Sequence, residues 1–161
     1  MLAPATPLLA AAALAGCGPF GDDGDGSEAL SEEDLAVRGG EICRAAQERV
    51  AELQSDPPAG REDSIRFAED LIAVFEDEVA QLESLDPPDE RAQAFDRYLD
   101  ARREAIELLE QGRDAAEQND PQGYADAQAE AAAGQVGRAE LAQRAGLSDC
   151  SRVARAAPSG D

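Results

Sequence analysis

The chain has 161 residues, of which 35 are Asp or Glu and 14 are basic, and its formal net charge at pH 7 is −21. Every basic residue is an Arg. Binding nucleic-acid phosphates requires clustered positive charge, so this composition argues against a nucleic-acid-binding protein. The sequence also contains no His, which excludes the Glu-x-x-His ligand pairs of ferritin-like di-metal bundles.

The N-terminal stretch is uncharged, rich in Ala and Leu, and ends in the tetrapeptide LAGC at residues 14–17. Its apolar run, residues 8–15, is far shorter than the ~20 residues of a membrane-spanning helix and is typical of a signal peptide. The tetrapeptide resembles the lipobox of bacterial lipoproteins. This resemblance implies cleavage of a signal peptide, residues 1–16, between Gly16 and Cys17, and a diacylglyceryl group on the Cys17 sulfur. The protein would then be held by its lipid at the extracytoplasmic face of the cell membrane.

One feature of this signal departs from the usual pattern. Export signals normally begin with positive charge, but residues 1–16 contain no Lys or Arg. Either the amino group of Met1 suffices or the true start lies upstream.

Residues 17–33 follow as the lipidated cysteine and a flexible acidic linker. From residue 18 onward this segment has four Gly, six acidic residues and three apolar ones, too few to bury a core. As a flexible coil it would span ~20–25 Å.

A calcium-binding loop is the alternative interpretation of this linker. The residues that match an EF-hand loop are Asp23, Asp25, Gly26 and Glu32. Gly21 stands where the first ligand is required, and no helix can precede the loop so close to Cys17. A solvated linker is therefore the favoured interpretation.

The first helix is expected over residues 34–54. Its apolar positions recur at helical spacing and are Leu35, Ile42, Cys43, Ala46, Val50 and Leu53. Gly39 and Gly40 each weaken its first half by up to ~1 kcal/mol relative to Ala. We therefore expect the ordered part to begin at about Gly40.

The second helix has the clearest pattern. Its apolar residues alternate at four- and three-residue intervals and are Ile65, Ala68, Ile72, Phe75, Val79 and Leu82. Asp63 or Ser64 is expected to cap its start, and the Asp-Pro-Pro turn at residues 86–88 ends it.

The third helix is expected from Pro87 to about Gln118, with Asp86 as its cap. Its first apolar stripe is Ala94, Tyr98, Ala101, Ala105 and Leu108, and its second is Phe95, Leu99, Ile106, Leu109 and Ala116. Two stripes predict contact with two neighbours. A helix of ~48 Å should either overhang the others or bend near Gly112.

The fourth helix should start after the Asn-Asp-Pro sequence at residues 119–121 and run to Ala145, with Gly146 ending it and Leu147 packing back. Its expected core face is thin: Tyr124, Ala125, Ala129, Ala132, Val136, Ala139 and Leu141.

Short connections between these helices predict an all-α, antiparallel up-down-up-down four-helix bundle over residues 34–150, followed by a disordered tail, residues 151–161. With Cys17 lipidated, Cys43 and Cys150 remain, and outside the cytoplasm they should form a disulfide. Such a bond closes a loop of about 107 residues and would contribute ~4–5 kcal/mol. A metal or reactive thiol pair is disfavoured because there is no His and no CxxC.

The span from Cys43 to Cys150 also resembles the small disulfide-closed helical lipoproteins and secreted proteins of actinobacteria. The resemblance lies in the Leu-Asp-Pro-Pro turn at residues 85–88 and in the closing Gly-Leu-Ser-Asp-Cys at residues 146–150. It supports the fold and the anchor and implies no activity.

No pattern of catalytic residues is apparent. The eight serines lie mostly at expected caps, turns or tails, and no His can serve as a base. Paired carboxylates could hydrolyse a glycoside, but the pattern does not distinguish a buried pair from surface charge. We expect no enzymatic activity, no cofactor and no metal.

A stripe of carboxylates recurs every seventh residue on the second helix: Glu62, Glu69, Glu76 and Glu83. It is expected to be a solvated flank, although it could bind divalent ions or Arg residues of a partner. Arg91, Arg97 or Arg102 of the third helix could be its intramolecular partners, at small net value.

These features favour a protein-interaction or structural module that presents an acidic helical surface to an unidentified protein of the cell envelope. The first alternative is a bundle that binds or senses a small apolar ligand, if the Ala-rich fourth helix leaves space beside Phe75, Phe95 and Tyr98. Tyr124 would face Tyr98 across that space. The second alternative is a calcium-dependent module.

Overall fold

The computed structural model describes residues 29–152, and this part of the chain is helical with no strand. Its helices are α1 (Glu32–Gln54), α2 (Arg61–Glu83), α3 (Asp89–Glu117), α4 (Pro121–Ala133) and α5 (Gln135–Arg144), followed by a short 3-10 helix (Ser148–Ser151). Within the described range no helix is both long and apolar enough to cross a membrane. The predicted cleavage and lipidation site at Gly16 and Cys17 lies outside the described residues.

The centre of the bundle is α3. It packs against α2 on one side and against α4 and α5 on the other, which confirms the two neighbours predicted from its two apolar stripes. Helix α1 packs against α2, and the 3-10 helix joins α1 to α5. No Cα atom of α1 lies within 8 Å of any Cα atom of α4 or α5. The wall formed by α1 and the wall formed by α4 and α5 are therefore joined through α2 and α3 beneath them and, at one end, through the 3-10 helix.

The apolar core has two parts. One lies around the disulfide and comprises Leu35, Cys43, Leu82, Phe95, Tyr98, Leu99, Ala142, Ala145 and Leu147. The other is built from α1, α2 and α3 and comprises Ala46, Val50, Leu71, Ile72, Val74, Val79, Ile106 and Leu109. Helix α4 contributes to neither part, and Ala127 is the one buried side chain among its described residues. Helix α4 is therefore held almost entirely by its packing against α3.

Helix α1 is continuous through its two glycines, so the expectation that order begins at Gly40 is wrong. The Ser31 hydroxyl accepts a hydrogen bond from the Asp34 N–H at 3.0 Å and caps the helix start. A Cβ atom on Gly39 would lie 2.3 Å from Leu147 Cδ2, and one on Gly40 would lie 2.9 Å from Asp149 Oδ2. The glycines thus allow the C-terminal segment to approach α1 closely. The packing of this segment against α1 offsets the low helix propensity of the two glycines.

The end of α5 is as predicted. Gly146 has φ 84°, and its N–H donates to the Gln143 carbonyl at 3.1 Å, while the Leu147 N–H donates to the Ala142 carbonyl at 2.8 Å. This pair of bonds defines a Schellman motif, and Leu147 is fully buried behind it. The reversal leads directly into the 3-10 helix that carries Cys150.

The expected disulfide is present between Cys43 of α1 and Cys150 of the 3-10 helix. Their Cα atoms are 5.0 Å apart, and the bond spans a sequence separation of 107. It fixes the C-terminal segment to α1 at the position where Gly39 and Gly40 allow close contact.

Two predicted helix starts are corrected by the structure. Helix α2 begins at Arg61 with Gly60 as its cap, so Asp63 and Ser64 lie inside its first turn. The Ser64 hydroxyl donates to the Gly60 carbonyl at 3.0 Å and does not cap the helix. Helix α3 begins at Asp89 with Pro88 at the cap position, two residues later than predicted. From there its 29 residues, about 44 Å, form one helix that passes Gly112 without a break.

The predicted fourth helix is divided into α4 and α5 at Gly134. Its start is confirmed, because the Asp120 carboxylate accepts from two backbone N–H groups of the first turn. Its predicted core face is wrong: Val136 is 70% exposed, whereas Ala127 and Ala142 are buried. The Ala-rich pattern fits several helix faces equally well, because Ala buries little area on any of them.

Candidate functional site

A cleft of about 300 Å³ lies between α1 on one side and α4 and α5 on the other, and we call it the central cleft. Ala46 and Val50 line it from α1, and Ala132 and Ala139 line it from the opposite wall. Ala132 is exposed, so the cleft opens to solvent on that side. Small side chains on both walls keep it from being filled.

The floor of the central cleft holds a buried ion pair. Glu78 of α2 is 5% exposed, and its Oε2 atom accepts from an Nη atom of Arg102 on α3, whose side chain is 13% exposed. The Tyr98 hydroxyl, in a residue that is 2% exposed, donates to Glu78 Oε1 at 3.4 Å. The Cys43 sulfur contacts the same oxygen at 3.5 Å, but it carries no proton in the disulfide and donates no hydrogen bond.

Burial shifts the pKa values of Glu78 and Tyr98 at this floor. Loss of hydration raises the pKa of the Glu78 carboxyl above its usual value, and the adjacent Arg102 charge only partly opposes this. Burial, followed by the Glu78 charge, likewise raises the pKa of Tyr98. The tyrosine therefore stays protonated and acts as a donor at any physiological pH.

Arg102 also contacts an aromatic ring on the cleft wall. Its guanidinium carbon lies 4.3 Å from the centroid of the Phe75 ring, a distance at which a cation and an aromatic face attract each other. Its Nε atom is buried and has no hydrogen-bond partner in the described part of the protein. Even with Glu78 beside it, Arg102 therefore retains an unused donor.

A second guanidinium, that of Arg138 on α5, faces the central cleft. Its side chain lies over Gly134 and donates to the Ala131 carbonyl at 2.8 Å, where α4 ends. Within residues 29–152 no carboxylate oxygen lies within 4 Å of it. Burial, and next the positive charge of Arg102, lower the pKa of Arg138 from its ordinary value. The structure thus places at this wall a partly desolvated cation that forms no ion pair and is attracted by the Glu104 carboxylate only from beyond contact distance.

Among the described residues, Glu78 is the one carboxylate that lines the central cleft. The lining cations are Arg102, Arg138 and the exposed Arg152, which pairs with Asp149 at 3.0 Å. The cleft is therefore locally positive in a chain whose net charge is −21.

A second depression, of about 440 Å³, lies at the connection between α1 and α2. Pro57, Pro58 and several carboxylates surround it, and one of these, Asp63, forms an ion pair with Arg66. In the described chain no group of three or more acidic or cysteine residues could hold a metal ion. Without a buried unpartnered polar group, this depression is a weaker candidate than the central cleft.

The acidic stripe of α2 is solvent-exposed, as predicted, but its predicted partners are wrong. Glu83 pairs with Arg103 rather than with any of the three arginines predicted. Arg91 pairs with Glu32 at 2.7 Å, and Arg102 turns inward to Glu78.

The third predicted partner, Arg97, is exposed and has no ion pair within the described ranges. Of the calcium-loop residues, Glu32 lies in the first turn of α1, where Arg91 neutralises it. The remaining loop positions, Asp23, Asp25 and Gly26, lie outside the described residues.

The predicted pair of facing tyrosines is not formed. Tyr98 lines the central cleft with its hydroxyl buried, whereas Tyr124 of α4 lies beside Gly112 and outside the cleft. Tyr98 and Gly112 are 14 residues apart on α3, which corresponds to ~21 Å. The space itself does lie beside Phe75 and Tyr98, as the ligand-binding alternative requires, and Phe95 is in the adjoining core.

Sequence reasoning missed the two residues that give the cleft its chemistry. Glu78 follows Phe75 by three residues and precedes Leu82 by four, so its place on the apolar face was a readable signal of a buried carboxylate. Arg138 follows Gly134 by one helical turn, a spacing that by itself does not distinguish it from a surface Arg. Comparison of the chain with protein-family models, with curated proteins and with solved structures finds no match.

Proposed function

We propose that this chain is a lipid-anchored, extracytoplasmic helical-bundle protein of the cell envelope that binds a small ligand in the central cleft and performs no catalysis. The tetrapeptide at residues 14–17 supports attachment to the membrane through Cys17. The disulfide between Cys43 and Cys150 supports an oxidising location. In this proposal the helices run up-down-up-down, with α4 and α5 together as the fourth element.

The observation that carries the binding function is the absence of contact between α1 and the α4–α5 wall above a polar floor. The central cleft has a volume of about 300 Å³ and is open to solvent on the Ala132 side. Pockets that bind small molecules begin at about this volume and combine apolar walls with a few fixed polar groups. The central cleft has both properties.

The size of the cleft sets the expected affinity. An engineered cavity of ~150 Å³ holds one benzene ring, so the central cleft could hold about twelve non-hydrogen atoms. At ~0.3–0.5 kcal/mol per atom, such a ligand would bind with about 3–6 kcal/mol. This corresponds to dissociation constants from millimolar to tens of micromolar.

Binding of 1-octanol, a neutral probe of suitable size, tests this function. Calorimetry on the chain carrying Cys17→Ser, with its disulfide intact, should show saturable binding to one site. Ala132→Trp should abolish it, because Ala132 lines the cleft and is exposed enough to accept a large side chain. Ala133→Trp is the matched control, since Ala133 is the exposed neighbour outside the cleft. Failure of 1-octanol to bind, or equal loss in both variants, would refute a binding site here.

A second candidate function is the protein-interaction module that the sequence favours. Glu62, Glu69 and Glu76 are exposed, and in the described structure none has an Arg within 4 Å. They form a line of free negative charge for a basic partner. Affinity capture from intact envelopes, with the Cys17 anchor retained, should recover a partner that the triple Glu→Gln variant loses. Identical capture by both proteins would argue against this surface.

A further inference from the structure

The positive charge of the central cleft restricts the chemistry of its ligand. A guanidinium has five N–H donors, and Arg138 has one hydrogen bond in the described structure, to the Ala131 carbonyl. Arg102 is already paired with Glu78, and its free Nε is enclosed by protein, so the donors open to a ligand are those of Arg138. A guanidinium with no ion pair and free donors favours a negatively charged acceptor group on the ligand.

The apolar part of the cleft lies beside these donors. Val50, Leu71, Phe75 and Leu109 contribute side chains to the lining, and none of them offers a hydrogen bond. A fully polar anion would therefore make no apolar contact with these side chains. A ligand with an apolar body and one acidic group would satisfy both parts of the lining.

The distant charges of the protein do not oppose this assignment. The net charge of −21 comes mostly from exposed carboxylates, whose effect is screened beyond ~8–10 Å at physiological ionic strength. Within the cleft the guanidiniums of Arg102 and Arg138 outnumber the single Glu78 carboxylate. An apolar cation would meet repulsion from Arg138, whose charge the Glu104 carboxylate offsets only in part.

We infer that the central cleft binds a small amphipathic anion, with its acidic group on Arg138 beside Arg102 and its apolar body against Phe75 and the aliphatic wall. This inference rests on the proposed function, because it names the ligand class of the same site. Arg138 is then the residue that selects for charge, since Arg102 is already neutralised by Glu78.

The test compares two probes that share a chain length and differ in charge: octanoate and 1-octanol. Calorimetry at pH 7 on the chain carrying Cys17→Ser should show octanoate binding about tenfold more tightly, the gain typical of a charge-assisted hydrogen bond. Arg138→Gln should remove this preference while 1-octanol binding is retained, which also shows that the variant is folded. Arg138→Lys should retain part of the preference.

Arg144→Gln is the matched control. Arg144 lies on the same helix, is exposed outside the cleft, and carries the same charge. Its loss should leave the preference for octanoate unchanged. Equal weakening by Arg138→Gln and Arg144→Gln would indicate a general charge effect and overturn the inference.

The remaining outcomes separate the inference from the proposed function. Equal affinity for octanoate and 1-octanol, or a preference that survives Arg138→Gln, would overturn the anionic ligand class but leave the binding cleft standing. Failure of 1-octanol to bind the parent protein, whether or not octanoate binds, would overturn both.

Discussion

The contact between Gly39 and Leu147 predicts that two Gly→Ala substitutions in helices will have different effects on stability. At Gly137 of α5 nothing lies within 4 Å of an added Cβ atom, so Gly137→Ala should stabilise the protein by up to ~1 kcal/mol through helix propensity. At Gly39 the same gain is opposed, because the Cβ atom would lie 2.3 Å from Leu147 Cδ2.

The magnitude follows from the packing of Leu147. This side chain is fully buried, and overpacking in a core costs typically ~1–3 kcal/mol. Gly39→Ala should therefore be about 1–3 kcal/mol less stable than Gly137→Ala. In a Leu147→Ala background the obstructing atoms are absent, and Gly39→Ala should become stabilising.

Urea unfolding of the oxidised proteins would measure all these free energies in one assay. Leu147→Ala itself should cost ~2–5 kcal/mol and provides the fourth corner of a double-mutant cycle with Gly39→Ala. Stabilisation by Gly39→Ala with Leu147 present, equal to that by Gly137→Ala, would show that the C-terminal segment does not rest on these glycines.

Three further predictions concern the floor, the disulfide and the anchor. Arg102→Met should destabilise the protein by ~3–5 kcal/mol at pH 7, because it leaves the buried Glu78 carboxylate without its cation. The pKa of Glu78 is raised above its usual 4.5, so the folded state binds more protons than the unfolded state above that pH, and the stability contributed by this group falls as pH rises. Unfolding measured from pH 4 to pH 8 should show a steeper fall for Arg102→Met, and a fall that is no steeper than in the parent protein would contradict this. Replacing Cys43 and Cys150 by Ser should cost ~4–5 kcal/mol in the same assay, and mass spectrometry that found two free thiols in the unreduced parent would remove the basis for this value. Cys17→Ser should release the protein from membranes or block its processing, and unchanged membrane retention in fractionated cells would refute the lipid anchor.

The sequence predicted α1, α2 and α3 well because large apolar residues define their faces. Val50 of α1, Ile72 of α2 and Leu99 of α3 are buried as their spacing predicts. The α4–α5 wall was predicted poorly because its pattern consists mainly of Ala. Which face of α4 is buried depends on the surface of α3 that it meets, for example at Gly112, where an added Cβ atom would lie 3.7 Å from the Ala127 Cβ atom.

The candidate site could be predicted only in part for a similar reason. A thin, Ala-rich wall beside Phe75 indicated the space, but the sequence pattern does not show that Glu78 and Arg138 line the cleft and give it charge. The glycines of α1 were evaluated by helix propensity alone. Their actual basis is a contact with Leu147, more than 100 residues away in the sequence, which local patterns cannot show.

The single covalent tie between Cys43 and Cys150 has a mechanical consequence for ligand entry. The disulfide holds the C-terminal segment to α1 at one end of the central cleft, so a ligand larger than the cleft would fit only if the far ends of α1 and α4 moved apart. Helix α5 packs against the 3-10 helix that carries Cys150, whereas α4 does not, so α4 is the part of this wall that is freer to move. When a ligand binds, amide hydrogen exchange should therefore slow far more in α4 than in α5. Reduction of the disulfide between Cys43 and Cys150 should make exchange faster in both walls.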